Sequence, residues 1–185
     1  ILRAGGAIGF GGGEPTILPG FDKLLSLFIK KGFTNIRVPS SGIKYSRIIE
    51  KGISTGQVTV VISIDSSSKD TYKKIKRVDA YNTVIKNMIK YAKAQRPGFY
   101  NVTSKYIIIP GINDTKEELE NWLDFCKKNY IELLVLDIEN SWLTKYREDK
   151  PDERILDLMR YVEEKAKEMN FYKFELCDRA KYLFN

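Results

Sequence analysis

Near the start of the chain stands the stretch Ala7-Ile8-Gly9-Phe10-Gly11-Gly12-Gly13-Glu14-Pro15-Thr16. Its apolar residues fit a buried strand, and its glycines tolerate positive φ and let another group approach the backbone closely. Pro15 fixes its own φ and lacks an N–H, so we expect Glu14 to project from the turn. A lone carboxylate with no following Lys-Ser or Lys-Thr excludes a phosphate-binding loop. The stretch predicts a strand followed by a turn that holds a cation, either an ammonium group or a metal ion.

Strand and helix patterns alternate along the rest of the chain. β-Branched runs typical of buried parallel strands are separated by segments whose apolar residues recur at helical spacing. Further strands are predicted at residues 35–39, 58–64, 102–109, 131–138 and 171–176. This alternation implies right-handed parallel crossovers. We predict an α/β fold, either a partial barrel of the (β/α)6 type built from parallel strands or an open doubly wound sheet.

Some local features are predicted in more detail. A short helix covers residues 45–51, with Gly52 and Gly56 bracketing the turn after it. Residues 115–118, with the sequence Thr-Lys-Glu-Glu, match the capping box, in which an N-cap hydroxyl and a carboxylate three residues later satisfy each other's backbone N–H groups. A polar linker at residues 144–151 leads into an amphipathic helix, and a short helix ends the chain. Trp142 is either a lid over a pocket or a loop-packing residue.

The composition limits the class of protein. The chain has 185 residues, of which 43% are hydrophobic and 30% charged, which fits one globular domain. We expect a cytoplasmic protein without a membrane partner, because there is no signal-peptide pattern and no apolar run of the roughly 20 residues that a membrane span needs. The net charge of +7 is spread over many helices, so we expect a solvated surface rather than a nucleic-acid partner. Two cysteines and no histidine exclude a Cys/His metal site.

Polar residues follow the predicted strands where each strand ends. In α/β proteins, ligands bind at the carboxyl ends of parallel strands. We therefore expect these polar residues to converge on one site: Glu14, Ser40, Ser41, Ser63, Asp65, Asn113 and Glu139.

Several of these segments together resemble the radical S-adenosylmethionine (SAM) superfamily. Gly12-Gly13-Glu14-Pro15 is similar to that family's motif for the methionine ammonium group. The run Ser63-Ile64-Asp65, followed by the basic segment that contains Lys76, is similar to its fourth-strand segment. Residues 107–114, with the sequence Ile-Ile-Ile-Pro-Gly-Ile-Asn-Asp, look like its fifth-strand motif. The resemblance extends from about residue 7 to residue 139, with the motifs in the family's order.

The resemblance implies a SAM site. The ammonium group of SAM would pair with a carboxylate of the protein, its ribose hydroxyls with polar oxygens, and its carboxylate with an amine. Its purine would lie on a flat apolar surface close to the backbone. In the family, the glycine turn contacts the ammonium group, the fourth strand lies near the ribose and methionine moieties, and the fifth strand packs against adenine. The positions carried over are Gly12, Gly13, Glu14, Ser63, Asp65, Lys76, Ile109 and Gly111.

The sequence departs from the family at the iron–sulfur centre. Family members hold a [4Fe-4S] cluster with a CxxxCxxC loop after their first strand, and reductive cleavage of SAM gives a 5′-deoxyadenosyl radical that abstracts hydrogen. Cys126 and Cys177 do not supply that motif. Because the chain starts at Ile1 rather than Met, we expect an inert fragment lacking the first strand and cluster loop, cut from a parent enzyme.

For that parent, the resemblance implies a reductant such as flavodoxin or ferredoxin and an unknown small-molecule or peptide substrate. Residues 1–142 would form the core of the barrel fragment, and residues 143–185 a C-terminal helix-strand-helix extension of the same domain. Losing a strand and a helix would expose an apolar edge, so we expect marginal stability or self-association.

Two other classes of function remain open. One is an α/β-barrel enzyme that uses Glu14, Asp65 and Glu139 around a divalent metal ion. The other is a non-catalytic binding module, either a degenerate radical SAM domain or a basic nucleic-acid binder. Single residues also have structural alternatives, because Asp65 could cap the following helix and Asn113 could serve only the turn.

Overall fold

The computed structural model describes residues 7–139 and 152–177. Within these residues the strands form one six-stranded parallel sheet in the order β1-β2-β3-β4-β5-β6. The order has two ends, so the sheet is not closed. This confirms the predicted α/β fold of parallel strands. The strands are β1 (Ala7–Gly9), β2 (Asn35–Ser40), β3 (Val58–Ser63), β4 (Val102–Ile108), β5 (Leu133–Ile138) and β6 (Lys173–Leu176).

Four of the helices in the described residues begin at a polar side chain that caps them. A side-chain oxygen of Ser46, Ser68, Thr115 or Asp152 accepts a backbone N–H from the first turn of the helix that follows. Such caps satisfy donors that have no partner within the helix. The helices are α1 (Phe21–Lys30), α2 (Arg47–Ser54), α3 (Lys69–Lys76), α4 (Tyr81–Lys93), α5 (Lys116–Lys128) and α6 (Glu153–Glu168).

The chain divides into two compact units, and each is described by itself. The first contains residues 1–63 and 82–103, and the second contains residues 64–81 and 104–185. In the first unit, β2 lies between β1 and β3 in parallel register, with Ala7 opposite Asn35 and Ile36 opposite Val58. The inward side chains of β2 and β3, such as Val38 and Val60, are fully buried, which explains their β-branched sequence.

Helix α2 differs from the sequence prediction. It begins at Arg47 because Ser46 caps it, and it continues through Gly52 to Ser54. The prediction that Gly52 belongs to the following turn was therefore wrong. A Cβ atom at residue 52 would lie 2.2 Å from Cγ2 of Val58. Glycine is needed there because the helix backbone packs directly on β3, a contact that no local sequence rule predicts.

The core of the second unit lies between α5 and α6 and their neighbouring strands. Trp122 of α5 is buried, and its indole N–H donates to the Ser104 hydroxyl at 2.8 Å. Met159 of α6 and Cys126 of α5 are also fully buried. Strand β6 pairs in parallel with β5, with Leu134 opposite Phe174.

Several predictions fall outside the described residues. They concern Trp142, the linker at residues 144–151 and the helix at the end of the chain. The division between residues 142 and 143 stays a prediction for the same reason. Among the helices that the structure describes, none is both long and apolar enough to cross a membrane.

Candidate functional site

The glycine turn after β1 presents exposed backbone. Gly12 and Gly13 both have positive φ, 78° and 82°, a conformation that favours glycine. Both are exposed, and a Cβ atom at either position would have no heavy atom within 4 Å. The backbone of this turn is therefore open to a group from outside the chain.

Directly after this turn, the Glu14 carboxylate accepts hydrogen bonds from several donors. Its Oε1 accepts from the Thr16 backbone N–H at 3.2 Å, from the Thr16 hydroxyl at 2.6 Å and from the Ser40 hydroxyl at 2.9 Å. Its Oε2 accepts from the Ser41 backbone N–H. Glu14 thereby ties the turn after β1 to the end of β2, which confirms that Glu14, Ser40 and Ser41 come together.

These contacts also fix the charge of Glu14. Partial burial acts to raise its pKa, but hydrogen bonds from Ser41, Thr16 and Ser40 outweigh burial and lower the pKa below its usual value. Glu14 is therefore an anion at neutral pH. Thr16 was not among the predicted site residues, although a hydroxyl two residues after a carboxylate that precedes proline is a local capping signal.

In the second unit, Asp65 is buried and its carboxylate binds partners within the chain. It has a left-handed φ of 54° and is 2% exposed. Its Oδ1 accepts the Ile107 backbone N–H at 2.8 Å, and its Oδ2 pairs with the Lys76 amine. Burial raises the pKa of Asp65, and Lys76 and Ile107 act against that rise. Two predicted SAM ligands thus bind each other, and both carboxylate oxygens of Asp65 have partners within the chain. Ser63 lies in the first unit as the last, half-buried residue of β3.

Asn113 lies at the centre of the turn after β4. It is fully buried, its Oδ1 accepts the Ile109 backbone N–H at 2.6 Å, and its Nδ2 donates to the carbonyls of Asp65 and Ile107, both at 2.8 Å. The turn residues that were predicted to face adenine are more exposed. Ile109 is partly exposed, and Gly111 is exposed with a φ of 81°. A Cβ atom at residue 111 would have no heavy atom within 4 Å.

Glu118 makes a second carboxylate centre that the sequence did not reveal. Its Oε2 accepts the Ser67 N–H and hydroxyl, both at 2.7 Å, and its Oε1 accepts the Thr71 hydroxyl at 2.5 Å. The capping box prediction was half right. The Thr115 hydroxyl does accept the Glu118 N–H, but the Glu118 carboxylate turns to the start of α3 instead of returning to Thr115.

The proposed metal site is not found. Among residues 7–139 and 152–177, no group of three or more His, Cys, Asp or Glu side chains is placed to hold a metal ion. The alternative that used Glu14, Asp65 and Glu139 was therefore wrong, and Asp65 is instead paired with Lys76.

The cysteines do not fit an iron–sulfur cluster. Burial raises the pKa of the Cys126 thiol to about 12, so it stays protonated at neutral pH. Cluster ligation needs several thiolates, and the chain has only two cysteines. Cluster ligands are therefore not supplied by this chain.

Residues 2–126, more than half of the chain, match the model of the Radical SAM superfamily. The chain belongs to the radical SAM superfamily. Its glycine turn, Glu14 and the β4 turn all lie within the matched residues.

The curated relatives of this radical SAM chain include proteins named GTP 3′,8-cyclase from Clostridium botulinum. The relative from strain Hall is 30% identical over 177 residues, which cover 91% of this chain and 54% of the relative. The relative from strain Langeland is 30% identical over 132 residues, which cover 71% of this chain and 40% of the relative. The chain thus spans about half the length of the curated relatives it matches.

Solved structures show the same fold. A domain of pyruvate-formate lyase-activating enzyme from Bacteroides vulgatus has a TM-score of 0.68 and 16% identity, over 94% of this chain and 99% of that domain. Streptococcus suis SuiB, solved with S-adenosylmethionine bound, has a TM-score of 0.68 and 15% identity, over 94% of this chain and 38% of that protein.

Proposed function

We propose that this chain is the SAM-binding portion of a radical SAM iron–sulfur enzyme. The observation that carries the proposal is the open glycine turn after β1, behind which hydrogen bonds hold the anionic Glu14. An exposed turn next to a fixed negative charge is suited to an ammonium group, and SAM carries one. Membership of the superfamily supports the same ligand.

In the first unit, the methionine end of SAM would meet the turn. The carbonyl oxygens of Gly12 and Gly13 are proposed to accept from the ammonium group, because both residues are exposed. Glu14 already has four donors, so it contributes mainly its charge and the shape of the turn. Ser63 is proposed for a ribose hydroxyl.

For the second unit, we propose that Ile109 and Gly111 offer an apolar surface and open backbone to adenine. Asp65 would reach the ribose only if its contacts with Lys76 and Ile107 opened, whereas the partly exposed Lys76 amine has further donors for the SAM carboxylate. In enzymes of this family, SAM supplies the radical that abstracts hydrogen from a substrate.

The chain alone is proposed to be inactive in that chemistry. Its two cysteines do not fit a [4Fe-4S] cluster, so the ligands would come from outside the given sequence, and we derive no step through the cluster. For the whole protein we propose a reductant of the flavodoxin or ferredoxin kind and a cytoplasmic location. The substrate remains a proposal too. The 30% identity to proteins named GTP 3′,8-cyclase makes GTP the first substrate to test.

The test compares two ligands on the 185-residue chain. SAM and 5′-methylthioadenosine share the nucleoside, but only SAM carries the ammonium group. Binding of both is measured by isothermal titration calorimetry for the wild type and Glu14→Gln, with the exposed Glu117→Gln as the matched control. We expect Glu14→Gln to weaken SAM binding about tenfold, equivalent to about 1.4 kcal/mol, and to leave 5′-methylthioadenosine binding unchanged.

Failure takes distinct forms. If the wild type does not bind SAM, the proposal is wrong. If Glu14→Gln weakens both ligands equally, Glu14 does not act on the ammonium group. If the whole protein binds SAM but does not cleave it under reducing conditions, it is a non-catalytic module of the same family.

A further inference from the structure

The Asn113 amide is fully used inside the second unit. Its oxygen accepts one backbone N–H and its nitrogen donates both protons to carbonyls, so no hydrogen-bonding capacity of the NH₂ group is left over. The side chain is fully buried. Such a network specifies one arrangement, because a buried donor or acceptor left without a partner destabilises the fold.

These bonds connect two neighbouring chain segments. Asp65 lies just beyond the end of β3. Its carbonyl accepts a hydrogen bond from the Asn113 amide, and its carboxylate accepts one from the Ile107 N–H. Asn113 in turn binds the Ile107 carbonyl and the Ile109 N–H. The left-handed conformation of Asp65 is uncommon for a residue with a side chain, so other contacts must hold it in place. Asp65 and Asn113 therefore hold each other and the last residues of β4.

We propose that Asn113 is a positioning residue for the nucleoside end of SAM. It acts through the turn at residues 109–111, whose first N–H it binds and whose remaining residues are partly or fully exposed. This inference rests on the proposed SAM-binding function and adds to it a residue that makes no contact with the ligand itself. The chemistry selects asparagine, because aspartate lacks the two donors and leucine of similar size lacks both donors and acceptor.

A variant of Tyr106 can distinguish this positioning role from a general contribution to the stability of the fold. The Tyr106 hydroxyl donates to the backbone carbonyl of Asn113 at 3.0 Å, and Tyr106 is fully buried like Asn113. Tyr106→Phe therefore removes one buried hydrogen bond to the same residue but leaves the amide network complete. It is the matched control for loss of stability alone.

The experiment uses SAM, 5′-deoxyadenosine and methionine on the wild type and on Asn113→Leu, Asn113→Asp and Tyr106→Phe. Calorimetry gives the SAM affinity, displacement of radiolabelled SAM gives the two fragments, and circular dichroism gives the melting temperature. We expect Asn113→Leu to weaken SAM and 5′-deoxyadenosine about tenfold and to leave methionine unchanged. Asn113→Asp should weaken them in the same direction. Tyr106→Phe should lower the melting temperature and leave all three affinities unchanged.

Each other outcome overturns the inference. Wild-type nucleoside affinity in a folded Asn113→Leu shows that the turn does not depend on the amide. Equal weakening by Tyr106→Phe, or loss of folding in both Asn113 variants, shows that Asn113 serves the fold rather than the ligand. If the wild type fails to bind SAM at all, the proposed function itself fails, and that result is seen before any variant is compared.

Discussion

Replacing Glu118 with glutamine tests how strongly a single carboxylate fixes the start of α3. The substitution keeps the size of the side chain and removes its charge. The amide oxygen of the glutamine can take the place of Oε2 and accept the Ser67 backbone N–H and hydroxyl. The NH₂ group then takes the place of Oε1, where the Thr71 hydroxyl can rotate to accept from it.

The size of the effect follows from those contacts. Hydrogen bonds to charged groups each contribute about 1.5–3 kcal/mol, whereas bonds between neutral groups contribute about 0.5–1.5 kcal/mol. The two Ser67 contacts and the Thr71 contact keep partners in the variant but become neutral, at a cost of about 1 kcal/mol each. The Ser68 hydroxyl has a single proton, which it can donate to either Glu118 or Thr71, so its bond to Glu118 contributes little to the expected loss of stability. We expect Glu118→Gln to lower the free energy of unfolding by about 2–3 kcal/mol at pH 7.

The effect should depend on pH. Burial acts to raise the pKa of Glu118, but the hydrogen bonds from Ser67, Thr71 and Ser68 outweigh it and lower the pKa. A carboxyl group with a lowered folded-state pKa stabilises the fold fully above its unfolded pKa of about 4.3. That stabilisation is lost as the pH falls through the folded-state pKa. The difference between wild type and variant should therefore shrink under acid conditions.

Urea denaturation followed by circular dichroism measures this difference at pH 7 and at several values below 4.5. Glu117→Gln is the control, since Glu117 is the preceding residue in the same first turn of α5 but is exposed. It should change the free energy of unfolding by less than about 0.5 kcal/mol. If Glu118→Gln lowers the free energy of unfolding by the same amount at every pH, the role assigned to the charge is refuted. If it lowers that free energy as little as the control does, the stabilising role of the Glu118 hydrogen bonds is refuted.

Two further predictions concern buried positions. Gly52→Ala places a methyl group 2.2 Å from Cγ2 of Val58. Although alanine favours helices, we expect this clash to lower the free energy of unfolding by about 1–3 kcal/mol, as measured by urea denaturation. Adding Val58→Ala should restore part of that lost stability. An equal or higher stability for Gly52→Ala would contradict the close packing of α2 on β3. The Cys126 thiol is fully buried and its pKa is raised to about 12. Iodoacetamide at pH 8 should therefore leave Cys126 unmodified in the folded protein and modify it in urea. Peptide mass spectrometry measures the modification. Modification of Cys126 in the folded protein would show that α5 opens.

The sequence predicted well those features that depend on neighbouring residues. Thr115 was expected to cap a helix and does so, because its hydroxyl lies three residues before the backbone N–H that it accepts and needs no distant partner. The β-branched run of β3 indicated a buried parallel strand for an equally local reason. Glu14, Ser40 and Ser41 were also expected to meet, because parallel strands end at the same edge of a sheet.

The features that the sequence did not predict depend on partners far along the chain. Glu118 looked like half of a local capping box, and its donors lie about 50 positions earlier. Gly52 looked like a turn glycine, and only the packing of α2 on β3 explains it. Asp65 and Lys76 were both expected to contact SAM, but the sequence contained no indication that they would neutralise each other.

Two carboxylates of this chain, Glu14 and Glu118, are held in the same way, and this bears on how the family motif works. Glu14 and Glu118 each accept backbone N–H and hydroxyl donors from a segment that follows a strand, and in both cases hydrogen bonding lowers the pKa. A carboxylate satisfied in this way holds a turn in one conformation and carries its charge at neutral pH. In the Gly-Gly-Glu-Pro turn, shape and charge therefore come from the same side chain. We therefore propose that the ligand's direct contacts are made by the backbone of Gly12 and Gly13, which are both exposed.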